Sequence, residues 1–318
     1  MTPKRIAILG GTGFVGRAVC ERLMRRSPGG AIVVPTRRAM HANNVRALPT
    51  VDVRVADVHD DAALAGVLAG CDAVINLVAI LHGSQAAFEQ VHVALPKRIA
   101  AACAAAGIRR VLHVSALGVG DAAPSHYLRS KTAGEAALRA APLDLTLLRP
   151  SVIFGAEDRF LNLFAQLQAV APVMPLAGGD ARFQPVWVED VAEALVRCVD
   201  RPSTIGQTIE CAGPEVFTLA ELVRLAGRWS GHPRPILPLP MALGRLQALA
   251  MECLPGVPLM SRDNLDSMRT PNIAGGSLPT LTALGIQPAA VTTIAPTYLQ
   301  PSQARAGRLD RLRARSTT

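Results

Sequence analysis

The residues with the clearest chemical potential are a tyrosine and a lysine that lie four positions apart. Tyr127 opens the segment YLRSK, so Lys131 follows it at i+4. On a helix this spacing places both side chains on one face. An ammonium group beside a phenol lowers the pKa of the phenol, which suits a general acid/base for hydride chemistry at a carbonyl or carbinol. The alternative is a chance exposed pair, because Y-x-x-x-K alone is a weak motif.

A glycine-rich turn supplies a second candidate site. The strand-like run RIAIL leads directly into GGTGFVG, and a helical pattern follows as far as Arg26. Gly10 permits the tight turn, Gly13 lets the backbone approach a pyrophosphate, and Gly16 lets the helix pack on the strand. The helix N-terminus attracts phosphates through its free N–H groups. We therefore predict a dinucleotide site that uses Gly10, Thr12, Gly13, Phe14, Val15, Gly16 and Arg17. A turn without a ligand is disfavoured by the strand before it and the helix after it.

Basic residues follow the second predicted strand. An NAD site would place an acidic residue here, about 20 residues beyond the glycines, to bind the ribose 2′-hydroxyl. The chain instead has Arg37 and Arg38, with Arg17 near the start of the first helix. Guanidinium groups bind a 2′-phosphate well, so the sequence favours NADP(H) over NAD(H). Ordinary surface charge is the alternative.

An acidic residue follows the third predicted strand. Asp57 can accept a hydrogen bond from the adenine amine, while Val58 lies against the ring. The alternative is that this segment forms the N-cap region of the next helix, and both interpretations are compatible.

Alternating strand and helix patterns position these residues. Six β-rich runs are separated by Ala- and Leu-rich helical segments, namely Arg5–Leu9, Ala31–Thr36, Val51–Val55, Ala73–Val78, Arg110–Ser115 and Leu145–Pro150. Apolar strands separated by helices are typical of a parallel sheet covered on both faces, so we predict an α/β fold with a Rossmann-type doubly wound parallel sheet and a smaller C-terminal substrate lobe. Residues 1–155 are predicted to form the nucleotide domain, residues 183–200 to pack back on it, residues 156–300 to form the smaller lobe, and residues 301–318 to form a disordered tail.

Within the second half, Phe183–Val188 is predicted to be a strand and Thr218–Glu221 a helix-capping box. The apolar run Pro235–Leu259 is predicted to be core of the smaller lobe, with a membrane or partner surface as the alternative.

Composition narrows the function classes. Aromatic residues make up only 3% of the chain, which disfavours an aromatic-lined nucleic-acid groove, although the net charge is +9. The segment Ser302–Thr318 carries +4 of that charge and suits either solvent or an anionic membrane surface. The six cysteines are dispersed, which indicates small buried residues in a reducing compartment and no metal site. The sequence shows no signal peptide and no apolar stretch of the ~18 residues that a spanning helix needs.

Taken together, these motifs resemble the extended or atypical short-chain dehydrogenase/reductase superfamily. The stretches YLRSKTAGEAALR, PSVIFGAEDRFLN, QPVWVEDVA and SRDNL resemble more specifically the alpha-subcomplex subunit nine family of respiratory complex I and its bacterial relatives. The resemblance implies a Rossmann fold, tightly bound NADPH and, in mitochondrial members, a structural role. It also implies nucleotide contacts from Leu77, Val78, Ala79, Ser115, Tyr127, Lys131, Pro150 and Ile153.

One position departs from the superfamily pattern. Active members place a Ser or Thr just beyond strand five to polarise the substrate oxygen, and here that register falls near Leu117, with Ser115 at the strand end. The resemblance therefore implies an accessory or assembly factor linked to a membrane quinone or respiratory redox system. The alternative is an active NADPH-dependent oxidoreductase or epimerase that acts, through Tyr127, Lys131 and Ser115, on a small apolar or quinone-like substrate. Because mitochondrial relatives carry a presequence and this first strand begins at Arg5, we expect a cytoplasmic protein, peripheral at the inner face of the membrane.

Overall fold

The chain folds into two units. The computed structural model describes residues 4–27, 29–253, 256 and 258–300, so the predicted basic tail lies outside the described residues. The first unit comprises the described residues within 4–151, 188–211 and 274–287. The second unit comprises those within 152–187, 212–273 and 288–300. The first unit is thus assembled from three separate stretches of sequence.

The strands, in chain order, are β1 Arg5–Leu9, β2 Ala31–Thr36, β3 Val51–Val55, β4 Ala73–Asn76, β5 Arg110–Val114, β6 Asp144–Pro150, β7 Ile153–Phe154, β8 Met174–Ala177, β9 Arg182–Phe183, β10 Val186–Trp187, β11 Thr208–Cys211, β12 Phe217–Thr218 and β13 Ile236–Leu239. The α-helices are α1 Phe14–Arg26, α2 Asn43–Arg46, α3 Asp61–Leu68, α4 Gln85–Glu89, α5 Leu95–Ala106, α6 His126–Arg139, α7 Leu161–Val170, α8 Val188–Val199, α9 Leu219–Trp229, α10 Met241–Glu252, α11 Arg262–Ser267 and α12 Val291–Leu299. Among the described residues, none of these helices has the length and hydropathy needed to cross a bilayer.

A parallel sheet forms the centre of the first unit. In the described part of the chain it has seven strands in the order β11-β6-β5-β4-β1-β2-β3, and every neighbouring pair is parallel. The strand order reverses beside β1, which is the doubly wound arrangement. Strand residues such as Ile8, Val33, Ile75 and Leu112 are buried because helices cover both faces. The predicted Rossmann-type fold is confirmed.

Two details of the sheet differ from prediction. The edge strand β11 was not predicted; it is only four residues long and pairs with β6 from Thr208 beside Leu147 to Cys211 beside Pro150. The fourth strand ends at Asn76 rather than Val78, because the Asn76 side chain accepts a hydrogen bond from the Val78 N–H at 3.2 Å. This local turn takes the chain out of the sheet.

The second unit contains short strand pairs and helices. β7 pairs with β10 and β8 pairs with β13 in parallel, whereas β9 pairs with β12 in antiparallel fashion. The predicted strand Phe183–Val188 is therefore wrong as one element, since it divides into β9 and β10. Pro185 has no N–H to donate. The Gln184 N–H donates to the Asn272 carbonyl at 3.0 Å and not to β12, so the strand is interrupted between Phe183 and Val186.

Helix α9 begins with the capping box that the sequence predicts. The Thr218 hydroxyl accepts from the Glu221 N–H at 3.2 Å, and the Glu221 carboxylate accepts from the Thr218 N–H at 2.7 Å. These reciprocal bonds satisfy two backbone donors that the helix itself leaves unpaired.

The prediction of core for the apolar run Pro235–Leu259 is wrong for α10. This helix buries Gly244 and Ala248 against its own unit, while Leu243 and Leu246 are 52% and 62% exposed. A side-chain carbon added at Gly244 would lie 2.2 Å from the Ala177 Cβ. The small-residue face of α10 thus packs closely on β8, and the leucines point away from it.

Five of the cysteines, Cys20, Cys71, Cys103, Cys198 and Cys211, are buried in the first unit, as predicted, whereas Cys253 is exposed. Burial raises the pKa of the Cys20 and Cys103 thiols to about 12, so they stay protonated and packed at neutral pH.

Candidate functional site

The predicted nucleotide residues of the first unit gather at one edge of its sheet. β1 lies between β2 and β4, so the chain turns to opposite sides of the sheet at the carboxyl ends of β1 and β4. Doubly wound sheets bind ligands in the crevice at this point. The segments that follow β1, β2, β3, β4 and β5 all leave the sheet at that edge because the strands are parallel.

The glycine turn after β1 has the geometry of a phosphate cradle. Gly10 has a φ of +84°, which an L side chain rarely adopts. A Cβ at Gly16 would lie 2.3 Å from the Gly10 carbonyl oxygen, so α1 can begin this close to the strand only with glycine at that position. Gly13 is exposed, is the N-cap of α1, and has no side chain to occupy the first-turn N–H groups. The turn therefore fits the phosphates of a nucleotide.

The segment after β4 lies directly beside this turn. A Cβ at Gly10 would be 3.2 Å from both the Leu77 carbonyl carbon and the Val78 nitrogen. Asn76 fixes this segment, since its side chain bonds Val78 on one side and approaches the His113 Nδ1 at 3.0 Å on the other. The predicted residues Leu77 and Val78 thus lie next to the glycine turn, and Ala79 follows them in the chain. We did not predict the supporting role of Asn76.

The basic residues after β2 are exposed at the same edge. Thr36 is buried, and its hydroxyl bonds the Arg38 backbone, which sets the turn that presents Arg37 and Arg38 to solvent. Arg17 lies in the first turn of α1, where its Nε donates to Glu21 at 2.9 Å. Contact of Arg17, Arg37 and Arg38 with a 2′-phosphate stays a prediction.

The acidic residue after β3 is exposed. Asp57 accepts a hydrogen bond from the His59 N–H at 3.0 Å, whereas the N-cap of α3 is Asp60, which accepts from Ala63 at 2.7 Å. The capping alternative therefore applies to Asp60. Contacts of Asp57 and Val58 with adenine stay predictions.

The Tyr–Lys pair lies on the first two turns of α6. Ser125 caps this helix by accepting from the Leu128 N–H at 3.2 Å. Lys131 is buried, and its ammonium donates to the Val114 carbonyl at the end of β5 at 2.8 Å. Burial lowers the pKa of Lys131 to about 8, although the nearby Glu135 carboxylate opposes this shift.

The expected effect of Lys131 on Tyr127 is wrong. Burial raises the pKa of the Tyr127 phenol to about 12 instead of Lys131 lowering it. Desolvation of the phenol is the cause of this shift, whereas the Lys131 ammonium donates to the Val114 carbonyl. The phenol is consequently a poor base at neutral pH.

The end of β5 carries an orphaned hydroxyl. Ser115 is 3% exposed, and its Oγ has no hydrogen-bond partner within the described residues. Buried hydroxyls are nearly always paired, so this one fits a polar group of a bound ligand.

Leu117 is also buried, and its N–H donates to the Pro150 carbonyl at 3.0 Å. The other predicted contact, Ile153, lies in β7 of the second unit.

A buried ion pair, which we did not predict, supports α6. Arg149 of β6 donates to both oxygens of Glu135 at 2.9 and 2.6 Å, and Glu135 is 3% exposed. The bidentate geometry fixes α6 against the sheet. Since Glu135 follows Lys131 at i+4, helical spacing is the signal that could have identified it.

The sequence profile of the NAD dependent epimerase/dehydratase family matches residues 6–212. The chain belongs to this family. The resemblance to the extended short-chain dehydrogenase/reductases and to the complex I subunit nine family is thereby confirmed, and a nicotinamide dinucleotide is the ligand that fits both the family and the glycine cradle.

Curated relatives and solved structures agree with this assignment. The mouse NADH dehydrogenase [ubiquinone] 1 alpha subcomplex subunit 9 is 31% identical over 294 residues, which cover 88% of this chain and 76% of the mouse protein. A ceramide reductase of Caulobacter vibrioides is 31% identical over 247 residues, covering 74% of this chain and 73% of its own. The structure of the NADPH-dependent quinone oxidoreductase of Escherichia coli complexed with NADPH has a TM-score of 0.74 at 22% identity, covers 92% of this chain and 99% of that chain, and shows the same fold.

Proposed function

We propose that this protein binds NADP(H) and serves as an accessory or assembly factor of a membrane quinone or respiratory redox system. The observation that carries the proposal is the contrast between an intact nucleotide cradle and Leu117. This leucine is buried at the position where the superfamily resemblance calls for a polarising hydroxyl. Nucleotide binding is therefore supported by the retained residues, whereas substrate activation lacks a group.

Each predicted contact has a distinct binding role. The glycine turn and the first N–H groups of α1 hold the pyrophosphate, while Arg37 and Arg38 hold the 2′-phosphate. Asp57 accepts from the adenine, Lys131 donates to the nicotinamide ribose, and Ser115 satisfies the nicotinamide side. The bound nucleotide would supply a hydride donor or acceptor.

Proton transfer is the weak step for catalysis. Oxidation of a carbinol would require the Tyr127 phenol to accept a proton, and burial raises the pKa of this phenol to about 12, which makes it a poor base at neutral pH. Without a hydroxyl at residue 117 the substrate oxygen would also lack its second hydrogen bond. The raised pKa of Tyr127 and the missing hydroxyl at residue 117 favour a bound nucleotide that stabilises the fold over one that is oxidised and reduced in a catalytic cycle.

The second unit supports the accessory role. Exposed leucines on α10 give it an apolar surface suited to a larger assembly, and subunit nine relatives are named as complex I subunits. Within this proposal the protein is cytoplasmic and peripheral at the inner face of the membrane. The segment Ser302–Thr318, whose charge is +4, would contribute attraction to anionic lipids.

Calorimetry with NADPH and NADH tests the cofactor. Arg37→Asp should weaken NADPH binding by about 1.5–3 kcal/mol, the value of a charge-assisted phosphate contact, and should spare NADH. Arg26→Asp is the matched control, because it changes the same charge at the opposite end of α1 and should leave both affinities alone. Equal affinity of the native protein for the two nucleotides would refute the preference for NADP(H).

An active oxidoreductase or epimerase is the second candidate, and the buried Lys131, which follows Tyr127 by four residues on α6, favours it. Tyr127→Phe removes only the phenolic hydroxyl. An enzyme would keep its NADPH affinity within a few-fold and lose about 10²–10⁴ in turnover, whereas an accessory factor would show no defect in growth or in the quinone pool. Tyr298→Phe is the control, since this other tyrosine bonds Asp158 at 3.0 Å in the second unit.

A further inference from the structure

A buried histidine connects two segments of the candidate site. His92 lies on a π-helical turn, Gln90–Ala94, between α4 and α5, and is 2% exposed. Its ring stacks on Phe88 with centroids 5.6 Å apart and meets the Tyr127 ring edge-on at 5.4 Å. Single π turns are rare and are frequently found at functional sites.

Hydrogen bonds at both ring nitrogens determine the tautomer. The Ile80 N–H donates to Nε2 at 3.1 Å, so Nε2 accepts. The Ser130 Oγ lies 2.8 Å from the Tyr127 carbonyl oxygen and 2.9 Å from the His92 Nδ1. A carbonyl only accepts, so the single hydroxyl proton of Ser130 is directed to it, and Nδ1 must donate to Ser130.

The result is a continuous chain of three hydrogen bonds that all point in one direction. It runs from the Ile80 N–H to His92, from the His92 Nδ1–H to Ser130, and from the Ser130 hydroxyl to the Tyr127 carbonyl. The imidazole is neutral, because burial and the Lys131 charge lower its pKa to about 3. Protonation would destroy the Ile80 bond, since Nε2 would then be a donor.

Close packing fixes the position of this turn. A Cβ at Gly134 would lie 2.0 Å from the His92 carbonyl oxygen, so α6 contacts the π turn at its backbone. Both the ring and the backbone of His92 are therefore held by α6. Ile80 directly follows Leu77–Ala79, the segment beside the glycine turn.

We propose that His92 is a positioning residue, which couples the segment after β4 to the first turn of α6 and thereby sets the place of Tyr127 beside the nucleotide. The nucleotide part of this inference rests on the proposed function, whereas the coupling itself concerns the protein alone. Both ring nitrogens of His92 are engaged by Ile80 and Ser130, so its role is carried by hydrogen bonds and not by proton exchange with a substrate.

The tautomer is tested first, in the native full-length protein. Long-range proton–nitrogen NMR of protein labelled in its histidine rings should show His92 with a protonated Nδ1 and an unprotonated Nε2 at pH 6. The His92→Gln variant assigns the signal. A protonated Nε2, or a charged ring at pH 6, would overturn the proposal without any reference to nucleotide.

Three replacements of His92 separate hydrogen bonding from packing. Asn can keep only the bond to Ser130, Gln can keep only the bond from Ile80, and Phe keeps the ring contacts but neither bond. The carbon-13 signal of the Tyr127 ring is readily assigned, because the chain has only two tyrosines. We expect all three variants to shift that signal alike and to weaken NADPH binding by about 5–30-fold, the value of one or two lost hydrogen bonds. A Phe variant with the native Tyr127 signal would show that the ring of His92 contributes packing alone, and would contradict the proposal.

Ser130→Ala removes the middle of the chain and leaves the histidine in place. It should shift the Tyr127 signal and weaken NADPH binding as the His92 variants do. Thr132→Ala is matched to it, because the Thr132 hydroxyl also bonds a carbonyl of α6, that of Leu128 at 2.9 Å. Equal effects of the two alanines would contradict the coupling. If the native protein bound no NADPH, the proposed function would fail, while the tautomer and the Tyr127 signal would still decide the role of His92.

Discussion

Helices α6 and α10 depart from the usual distribution of polar and apolar residues in opposite directions. Helix α6 of the first unit buries Ser130, Lys131 and Glu135. Helix α10 of the second unit exposes Leu243, Leu246 and Leu249, and buries only small residues. Buried charge and exposed leucine both reduce stability unless something compensates for them.

The compensation differs between the two helices. In α6 it lies inside the molecule, because Lys131 bonds a backbone carbonyl and Glu135 bonds Arg149. In α10 the described residues of its unit leave the leucines exposed to solvent. The polar residues of α6 are thus satisfied within the fold, whereas the leucines of α10 form an apolar surface that the described residues of the unit do not cover. Stability measurements can therefore distinguish the roles of these helices.

Truncation of a leucine on each helix should give the largest contrast. Leu138 of α6 is fully buried, so Leu138→Ala should lower the free energy of unfolding by about 2–5 kcal/mol through lost contacts and a cavity. Leu246→Ala on α10 should change it by less than about 0.5 kcal/mol. Urea unfolding measures both values. A cost above 1 kcal/mol for Leu246→Ala would mean that α10 packs in solution.

Breaking one ion pair on each helix should give the second-largest difference in the free energy of unfolding. Glu135→Gln removes the buried carboxylate that pairs with the partly exposed Arg149 and should cost about 1.5–3 kcal/mol, the value of a hydrogen bond to a charged group. Asp266→Asn breaks the exposed pair with Arg245 of α10 and should cost less than about 1 kcal/mol. The same urea titrations, repeated in high salt, should leave the first value nearly unchanged. Equal costs would contradict the distinction between the two helices.

The smallest effect is a pH dependence from Lys131. Its pKa is about 8 in the folded protein, below that of an exposed lysine, so the unfolded state binds more protons between pH 8 and 10. The free energy of unfolding then rises with pH, because the cost of the buried charge is fully present at pH 7 and is lost progressively between pH 8 and the pKa of an exposed lysine.

The Lys131→Met variant lacks this term. Its stability advantage over the native protein should shrink by roughly 2 kcal/mol from pH 7 to pH 10, whereas Lys97→Met, at an exposed position of α5, should show no such trend. Parallel pH profiles of the native and Lys131→Met proteins would show that the lysine is not buried as a charge.

Sequence patterns predicted the first unit because its signals are local. Apolar runs gave β1, β2 and β3 with their correct ends, and the glycine spacing of the first turn matched its geometry. Strand β11 was missed because Thr208–Cys211 is short, and its pairing with β6 joins residues about 60 positions apart. Period and composition carry no information about such distant pairing.

The supporting residues of the site were missed for a similar reason. Asn76, His92 and Glu135 act through tertiary contacts with residues that are distant in sequence, apart from the i+4 relation of Glu135 to Lys131. The direction of the Tyr127 pKa was also wrong, because spacing reveals a neighbouring charge and not the extent of desolvation. The exposure of α10 depends on the close approach of Gly244 to β8, which periodicity cannot indicate.

The first unit is built from three separate stretches of sequence, and this has a consequence for protein synthesis. When the ribosome has released residues up to Ser151, six of the seven strands exist, but β6 is an open edge without β11, and α1 lacks α8, whose Glu189 and Glu193 bind Arg22. An open parallel edge is a template for aggregation. The nascent chain must remain in this unfinished state until residues 188–211 and then 274–287 emerge, so translation speed and chaperones that bind nascent chains should affect the yield of folded protein.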